Sequence, residues 1–223
     1  MFYGQSVNRD IINGFQHAGE QVVLIYSDYE QTIKGLLDRQ SESVEEIRMT
    51  NELFELAAKR RSIRRYTNDH ISDDVLNEIM KVALAAPCSF GHHPVEFVVV
   101  RDKKRINDLA ACKSMGGSQI IGADAVIVVM VKLDRGEFWI EDGSIASGYI
   151  LLAAEQYDIG ACWVHIRNRK GKRKTSDEEV RELLRVPDGY AVLNLIALGG
   201  KGENKQGYSE SDFDFSKVHH EEF

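Results

Sequence analysis

Ala125-Val126-Ile127-Val128-Val129-Met130-Val131 is an unbroken apolar run of seven residues, five of them β-branched. That length and that density of branched side chains read as a buried strand, because strands run about four to eight residues and helices about ten or more. Upstream, Val95 to Arg101 ("VEFVVVR") reads the same way. Between the two, residues 103–112 suit a helix and "SMGGSQ" a turn. Before the first strand, Ser72 precedes "DDVLNEIMKVALAA", whose Val75, Ile79, Val82 and Ala86 share one helical face, with two aspartates in the first turn and Pro87 as the stop. "PCSFGHHP" is then a loop.

Downstream, a long helix fits Ser144 to Tyr157 with Ile145, Tyr149, Leu152 and Ala153 inward. "ACWVHI" (161–166) is a third strand, and "RNRKGKRK" places six basic residues between Arg167 and Lys174. Ser176 caps a helix through Leu184, Pro187-Asp188-Gly189 turns, and "AVLNLIAL" (Ala191 to Leu198) is a fourth strand. Gly199-Gly200-Lys201-Gly202 reads as a glycine-rich loop ahead of an irregular tail. Strands separated by helices, without runs of hairpins, place the chain among α/β or α+β folds.

The N-terminal part differs. Ile11, Phe15, Ala18, Val22, Ile25, Tyr29, Ile33 and Leu36 recur at helical spacing, close to a heptad seam, although Gly14, Gly19 and Gly35 weaken it. Such a stripe needs a partner surface: an oligomer arm is the favoured reading, a helix folded back on its own core the other. Ser43 and Glu46 form a candidate capping box, so residues 1–48 read as a helical extension and 49–223 as the main domain.

At 223 residues and net charge −7, the chain can bury a large core and lacks the broad positive field of a nucleic-acid or polybasic membrane protein. No apolar run reaches the roughly 18 residues of a membrane span, and no signal-peptide pattern opens it, so the expected location is cytoplasmic. Cys88, Cys112 and Cys162 form no CxxC pair and are expected to be buried, reduced side chains, with no metal site.

Conventional catalytic signatures are missing. His92 and His93 adjoin Cys88 and Ser89 without an orienting acid or a third ligand, and neither Ser62 nor Ser89 sits in a GxSxG elbow. Neither GxGxxG nor GxxxxGK[ST] occurs. What remains is positive charge and glycine. Lys59-Arg60-Arg61-Ser62-Ile63-Arg64-Arg65-Tyr66 reverses the sign of an acidic chain and suggests an anion site, although basic residues after a helix also suit its C-terminal dipole. With the 87–94 loop, the 161–167 strand end and the 199–205 segment, it offers guanidinium groups, a hydroxyl and glycines that suit a flat phosphorylated cofactor.

Four blocks in order carry a resemblance. "RRSIRRY", "LAAPCSFGHHPVEFVVV", "EDGSIASGYILLAAEQYDIGACWV" and "LNLIALGGKGENK" followed by "KVHHEEF" are similar to blocks of the FMN-dependent nitroreductase family, from about Asn51 to Phe223. The resemblance implies an α+β fold with a central mixed β-sheet of four to five strands flanked by helices, here with the extra N-terminal arm. It implies Arg60, Arg61 and Ser62 on the FMN phosphate and ribityl chain, Arg64 near the pyrimidine edge and Lys205 closing on the phosphate. Trp163, Val164 and His165 would run along the flavin with Gly199 nearby, and a backbone N–H of His165 or Ile166 would face N5. Pro87, Cys88, Ser89 and Gly91 would reach the flavin of a second subunit, making a homodimer with FMN at its interface.

The implied activity is ping-pong transfer of a hydride from NADH or NADPH through FMN to a small acceptor such as a nitroaromatic or quinone. Alternatives are a dehalogenase or ene-reductase of the same fold, or a flavin-binding interaction protein whose arm is the working part. Gly91, His93 and Val95 stand where the family usually has Asn, Gln and Trp, and Gly200-Lys201 where an aromatic-Pro pair is common, which bears on substrate class more than on cofactor binding.

Overall fold

In the computed structural model, residues 52–135 and 137–223 are described, so the N-terminal stripe and its expected arm lie outside the described residues. Helix α1 occupies 52–59. It is followed by α2 (Asp73–Leu84), β1 (Val95–Val100), α3 (Lys103–Ala111), β2 (Ala125–Lys132), α4 (Trp139–Gln156), β3 (Ile159–His165), α5 (Ser176–Leu184) and β4 (Tyr190–Gly200). The four expected strands form one sheet in the order β1-β2-β4-β3.

Every strand pair is antiparallel, with Val95 opposite Val131, Ala125 opposite Leu198 and Trp163 opposite Ile196. The parallel contribution comes from outside the named strands: Ser62 bridges Ala161 on the outer edge of β3. β2 is central and buried along seven of its eight residues, which is why its sequence shows no alternation. Val126, Val128, Met130, Cys162, Val164, Leu195 and Ala197 pack with residues of α3 and α5 on one face. Ala125, Ile127, Val129, Ala161, Ile196 and Leu198 pack with α2 and α4 on the other. Each of the larger side chains among them, Val, Ile, Leu or Met, contributes about 1.5–3 kcal/mol of burial.

Two helices bury faces rotated from those expected, with Ile79, Ala86 and Ala153 of the expected residues buried and others exposed. α4 turns Ala146, Ile150, Ala153 and Ala154 inward, while Ile145 and Tyr149 stay 40% and 37% exposed. Small residues let the helix lie close to the sheet, and the larger ones are left outside. α4 also begins at Trp139, five residues before Ser144. Gly143 is inside it because a Cβ there would meet Leu193 Cδ2 at 2.8 Å, which outweighs its poor helix propensity. In α2 the buried residues are Leu76, Ile79 and Ala83, and Val82 is 38% exposed.

The cap of α5 is Thr175 and not Ser176: Thr175 Oγ1 accepts from Glu178 N (3.3 Å), and Glu178 Oε2 accepts from Thr175 N (2.9 Å). Gly199 and Gly200 are not loop residues but the end of β4. Cβ atoms there would meet the Tyr66 ring at 2.8 Å and Thr67 Oγ1 at 2.1 Å. Their glycines therefore admit the 64–67 segment against the sheet.

Candidate functional site

The basic run does not end as a solvated turn; it lies along the outer edge of β3. Ile63 N donates to Ala161 O (2.9 Å), Thr67 N to Gly200 O (2.9 Å), and Tyr66 bridges Lys201. Ile63 is buried against Gly160, whose missing Cβ would otherwise sit 2.8 Å from Ile63 Cγ2. The alternating pattern of β residues then throws the basic side chains and the apolar ones to different sides.

The chain after β4 folds back over this run. Gly202 N donates to Arg65 O (2.9 Å) and Tyr208 N to Ala58 O (2.9 Å). Lys205 Nζ donates to Ser62 O, and it also pairs with Glu203 at 3.2 Å. Glu203 Oε1 accepts from Arg64 N (2.6 Å), and these contacts hold its carboxyl below the usual glutamate range, the Arg64 N–H being the largest favourable cause. Arg61 donates to Gln206 O and covers the Tyr208 ring at 4.9 Å. Arg64 and Lys205 both act on Cys162, although burial dominates and pushes that thiol up.

Arg61, Ser62, Arg64 and Lys205 are thus brought together through named contacts, and half-buried Arg60 adjoins them in sequence at the end of α1. Lys59 has a different job, pairing with Glu155 (3.5 Å) and Asp158 (3.4 Å) beside Lys201.

Beyond Ala161 the edge of β3 carries no neighbouring strand among the described residues. Two anchors fix which way its backbone points. Ala161 O is taken by Ile63 on the outside, and Ile166 N donates to Leu193 O on the β4 side (3.1 Å). Alternation therefore turns the N–H and C=O groups of Trp163 and His165 outward, away from β4. Lys113 Nζ reaches His165 O from that side, as this parity requires. The His165 N–H is the outward donor; the Ile166 N–H is already used inside the sheet. Val164 is buried with its side chain in the core, and the same alternation turns its backbone groups toward β4.

Trp163 and His165 project on one face, their rings nearly parallel with centroids 6.2 Å apart. Trp163 Nε1 lies 3.4 Å from His165 Nδ1. Burial, and then Arg169, Lys113 and Arg167, hold His165 below the usual histidine range. Lys113 was not legible as a site residue, since what brings it here is the distant pairing of Ser114 with Lys170 O (3.0 Å from N, 2.9 Å from Oγ).

The loop residues Pro87, Cys88, Ser89 and Gly91 are elsewhere. They precede β1, at the opposite edge of the sheet, three strand spacings or about 14 Å away. Ser89 N and Oγ both donate to Asp142 Oδ1, at 2.8 and 2.9 Å, and His93 N donates to Cys88 Sγ at 3.1 Å. Asp142, 1% exposed, is the anchor that sequence reading missed. Cys88 is half-buried, unlike buried Cys112 and Cys162. Phe90, Gly91 and His93 all take positive φ, 54°, 68° and 45°, so this loop holds a conformation that costs energy for its two non-glycine members. A cavity of about 210 Å³ lies between it, α2, β1 and α4.

The clamp's chemistry suits a phosphate monoester: guanidinium and ammonium groups for the dianion, and an outward N–H at His165 for a ring acceptor. The donor set fits FMN. Comparison with known proteins agrees. Residues 57–130 match the model of the nitroreductase family. A curated relative from Archaeoglobus fulgidus, provisionally named NADH dehydrogenase/NAD(P)H nitroreductase, is 32% identical over 177 residues, covering 77% of this chain and 99% of that one. The solved structure of an FMN-dependent nitroreductase from Clostridium difficile R20291 superposes with a TM-score of 0.73 at 39% identity, over 75% of this chain and 98% of that chain. On fold, on identity and on the span over which both hold, the chain belongs to the nitroreductase family.

Proposed function

We propose that this chain is an FMN-dependent NAD(P)H oxidoreductase that works as a homodimer and alternates its two substrates at one site. The observation that carries the reading is the gathering of Arg61, Ser62, Arg64 and Lys205 at the one sheet edge where the Trp163 and His165 backbone donors face outward. When bound, FMN supplies the redox chemistry, accepting a hydride from NAD(P)H and returning it to a small acceptor such as a nitroaromatic or quinone.

The chain's share is binding and orientation. Arg60, Arg61, Ser62 and Lys205 hold the phosphate. Arg64, fixed through Glu203, puts positive charge near the pyrimidine edge, and the His165 N–H donates to the ring from a rigid strand. No side-chain acid or base is required, in keeping with the lack of a dyad in the sequence.

The homodimer is supported by what one chain leaves apart and uncovered. Pro87, Cys88, Ser89 and Gly91 sit at the far edge from the clamp, so a second copy would have to bring its own loop to complete each site. Large apolar side chains near that loop are exposed: Leu84 at 63%, Phe90 at 75%, and Ile145 and Tyr149 one turn apart on α4. Phe90 meets only the rings of His92 and exposed Phe138, both tilted, with centroids 5.9 and 6.0 Å away, among the described residues.

Initial-velocity measurements test the mechanism. With NADPH varied at several fixed quinone concentrations, alternating use of one site gives parallel double-reciprocal lines. Intersecting lines would show that both substrates bind together and would reject the alternation.

A further inference from the structure

The six basic residues between Arg167 and Lys174 do not form one patch. Glu179 is 7% exposed and accepts from Lys174 N (3.0 Å) and Arg173 N, and Lys174 Nζ pairs with Glu182, so this half is tied to α5. Arg167 and Arg169 are turned the other way. Arg169 N closes a turn onto Ile166 O at 3.1 Å with Asn168 at φ 54°, a left-handed value that Asn tolerates in turns.

That turn meets the end of α3. Ser114 is fastened to Lys170 O by both its N–H and its hydroxyl, which brings Lys113 beside the turn and its Nζ onto His165 O. Arg167 lies over the Trp139 ring at 5.6 Å. Lys113, Arg167 and Arg169 make no ion pair among the described residues, as is also true of exposed cations such as Arg105 and Arg185; what sets the three apart is that all act on one group, His165. Lys113 thus sits on the outward edge of His165, and Arg167 and Arg169 lie near enough to act on its ring, so three cations surround it without a carboxylate in a chain of net charge −7. Mutual repulsion there is unfavourable unless an anion enters.

We propose that Lys113, Arg167 and Arg169 form an anion subsite that binds the phosphate or carboxylate of a substrate standing over the flavin end of β3. It is separate from the clamp of Arg60, Arg61, Ser62, Arg64 and Lys205, which serves the cofactor's own phosphate. The proposal rests on the flavin reading above. It sets the substrate class: molecules bearing an anionic group are preferred over neutral isosteres. Phosphate on the reductant and carboxylate on the acceptor share this chemistry.

The test uses the full chain saturated with FMN. Calorimetric titration with inorganic phosphate and with benzoate reads the subsite directly, and benzamide is the neutral control. Arg169→Gln and Arg167→Gln are expected to weaken binding of at least one anion roughly tenfold, the scale of a lost charge-assisted hydrogen bond, and to leave benzamide unchanged. Kinetics then separate the sources. A fall in the NADPH over NADH ratio of kcat/KM in Arg169→Gln assigns the site to the reductant's phosphate. A fall in the para-nitrobenzoate over para-nitrobenzamide ratio assigns it to the acceptor's carboxylate.

A protein that holds FMN, yet shows unchanged anion binding and unchanged ratios in both variants, overturns the subsite alone. A protein that cannot take up FMN overturns the flavin reading and the subsite together. Circular dichroism and FMN content of each variant distinguish a lost contact from a lost fold.

Discussion

His165 and Ile166 are adjacent, yet their backbone N–H groups point to opposite sides of β3, one outward and one into the sheet. Sequence reading could name the pair as candidates for a ring donor and could not choose, because the choice depends on parity set by two distant partners, Ile63 and Leu193. The His165 side chain makes a prediction of its own. Burial and three nearby cations hold it below its ordinary value, so the folded protein binds its proton later than the unfolded chain. As pH falls through about 6.5 the unfolded state takes up that proton first, and stability declines until the folded-state value is passed. NMR titration of the imidazole should place its midpoint below that of an unstructured histidine, and Arg169→Gln should move it upward. A midpoint at the ordinary value, unmoved by the substitution, would separate Arg169 from His165.

At the scale of elements, the four strands were legible as short apolar runs. β2 and β4 are buried almost throughout, whereas β1, which also reads as a buried strand, lies at the sheet edge with only Val100 fully buried. The helices were legible in existence and only partly in facing, Ile79, Ala86 and Ala153 being buried as expected. α4 turns its alanines inward, and a reading that seeks the largest apolar stripe selects Ile145 and Tyr149 instead. The end of β4 was misread for a related reason: Gly199 and Gly200 resemble a cofactor loop until the ring of Tyr66 is seen to occupy the space a Cβ would need. Gly199→Ala should therefore cost about 1–3 kcal/mol, by overpacking against Tyr66, and should weaken FMN binding by displacing the clamp. Gly148→Ala, in α4 with open space around its missing Cβ, should be neutral or stabilising by up to about 1 kcal/mol. Urea unfolding of both variants checks this; equal stabilities would mean that the Tyr66 contact does not constrain the clamp.

For the whole molecule, the two groups of expected site residues lie at opposite edges of one sheet. The clamp was visible in the sequence as a reversal of charge. Asp142 was not, because a single aspartate in a helix gives no sign that it holds a loop more than fifty residues away through Ser89 N and Oγ. If two chains pair by a two-fold axis as proposed, each site would take a clamp from one chain and a loop from the other. A chain carrying Arg60→Ala and a chain carrying Asp142→Ala should each bind FMN poorly as homodimers, while mixed dimers should recover about half of the sites. No recovery on mixing would confine each site to one chain.

The clamp itself is the central claim, and FMN titration of the purified, flavin-stripped protein tests it most directly. The account predicts saturable binding of one FMN per chain with flavin absorption bands, weakened by about 1.5–3 kcal/mol in Arg60→Ala, the worth of a charge-assisted hydrogen bond. A protein that stays colourless with FMN, or one whose affinity is the same without the Arg60 guanidinium, would contradict it.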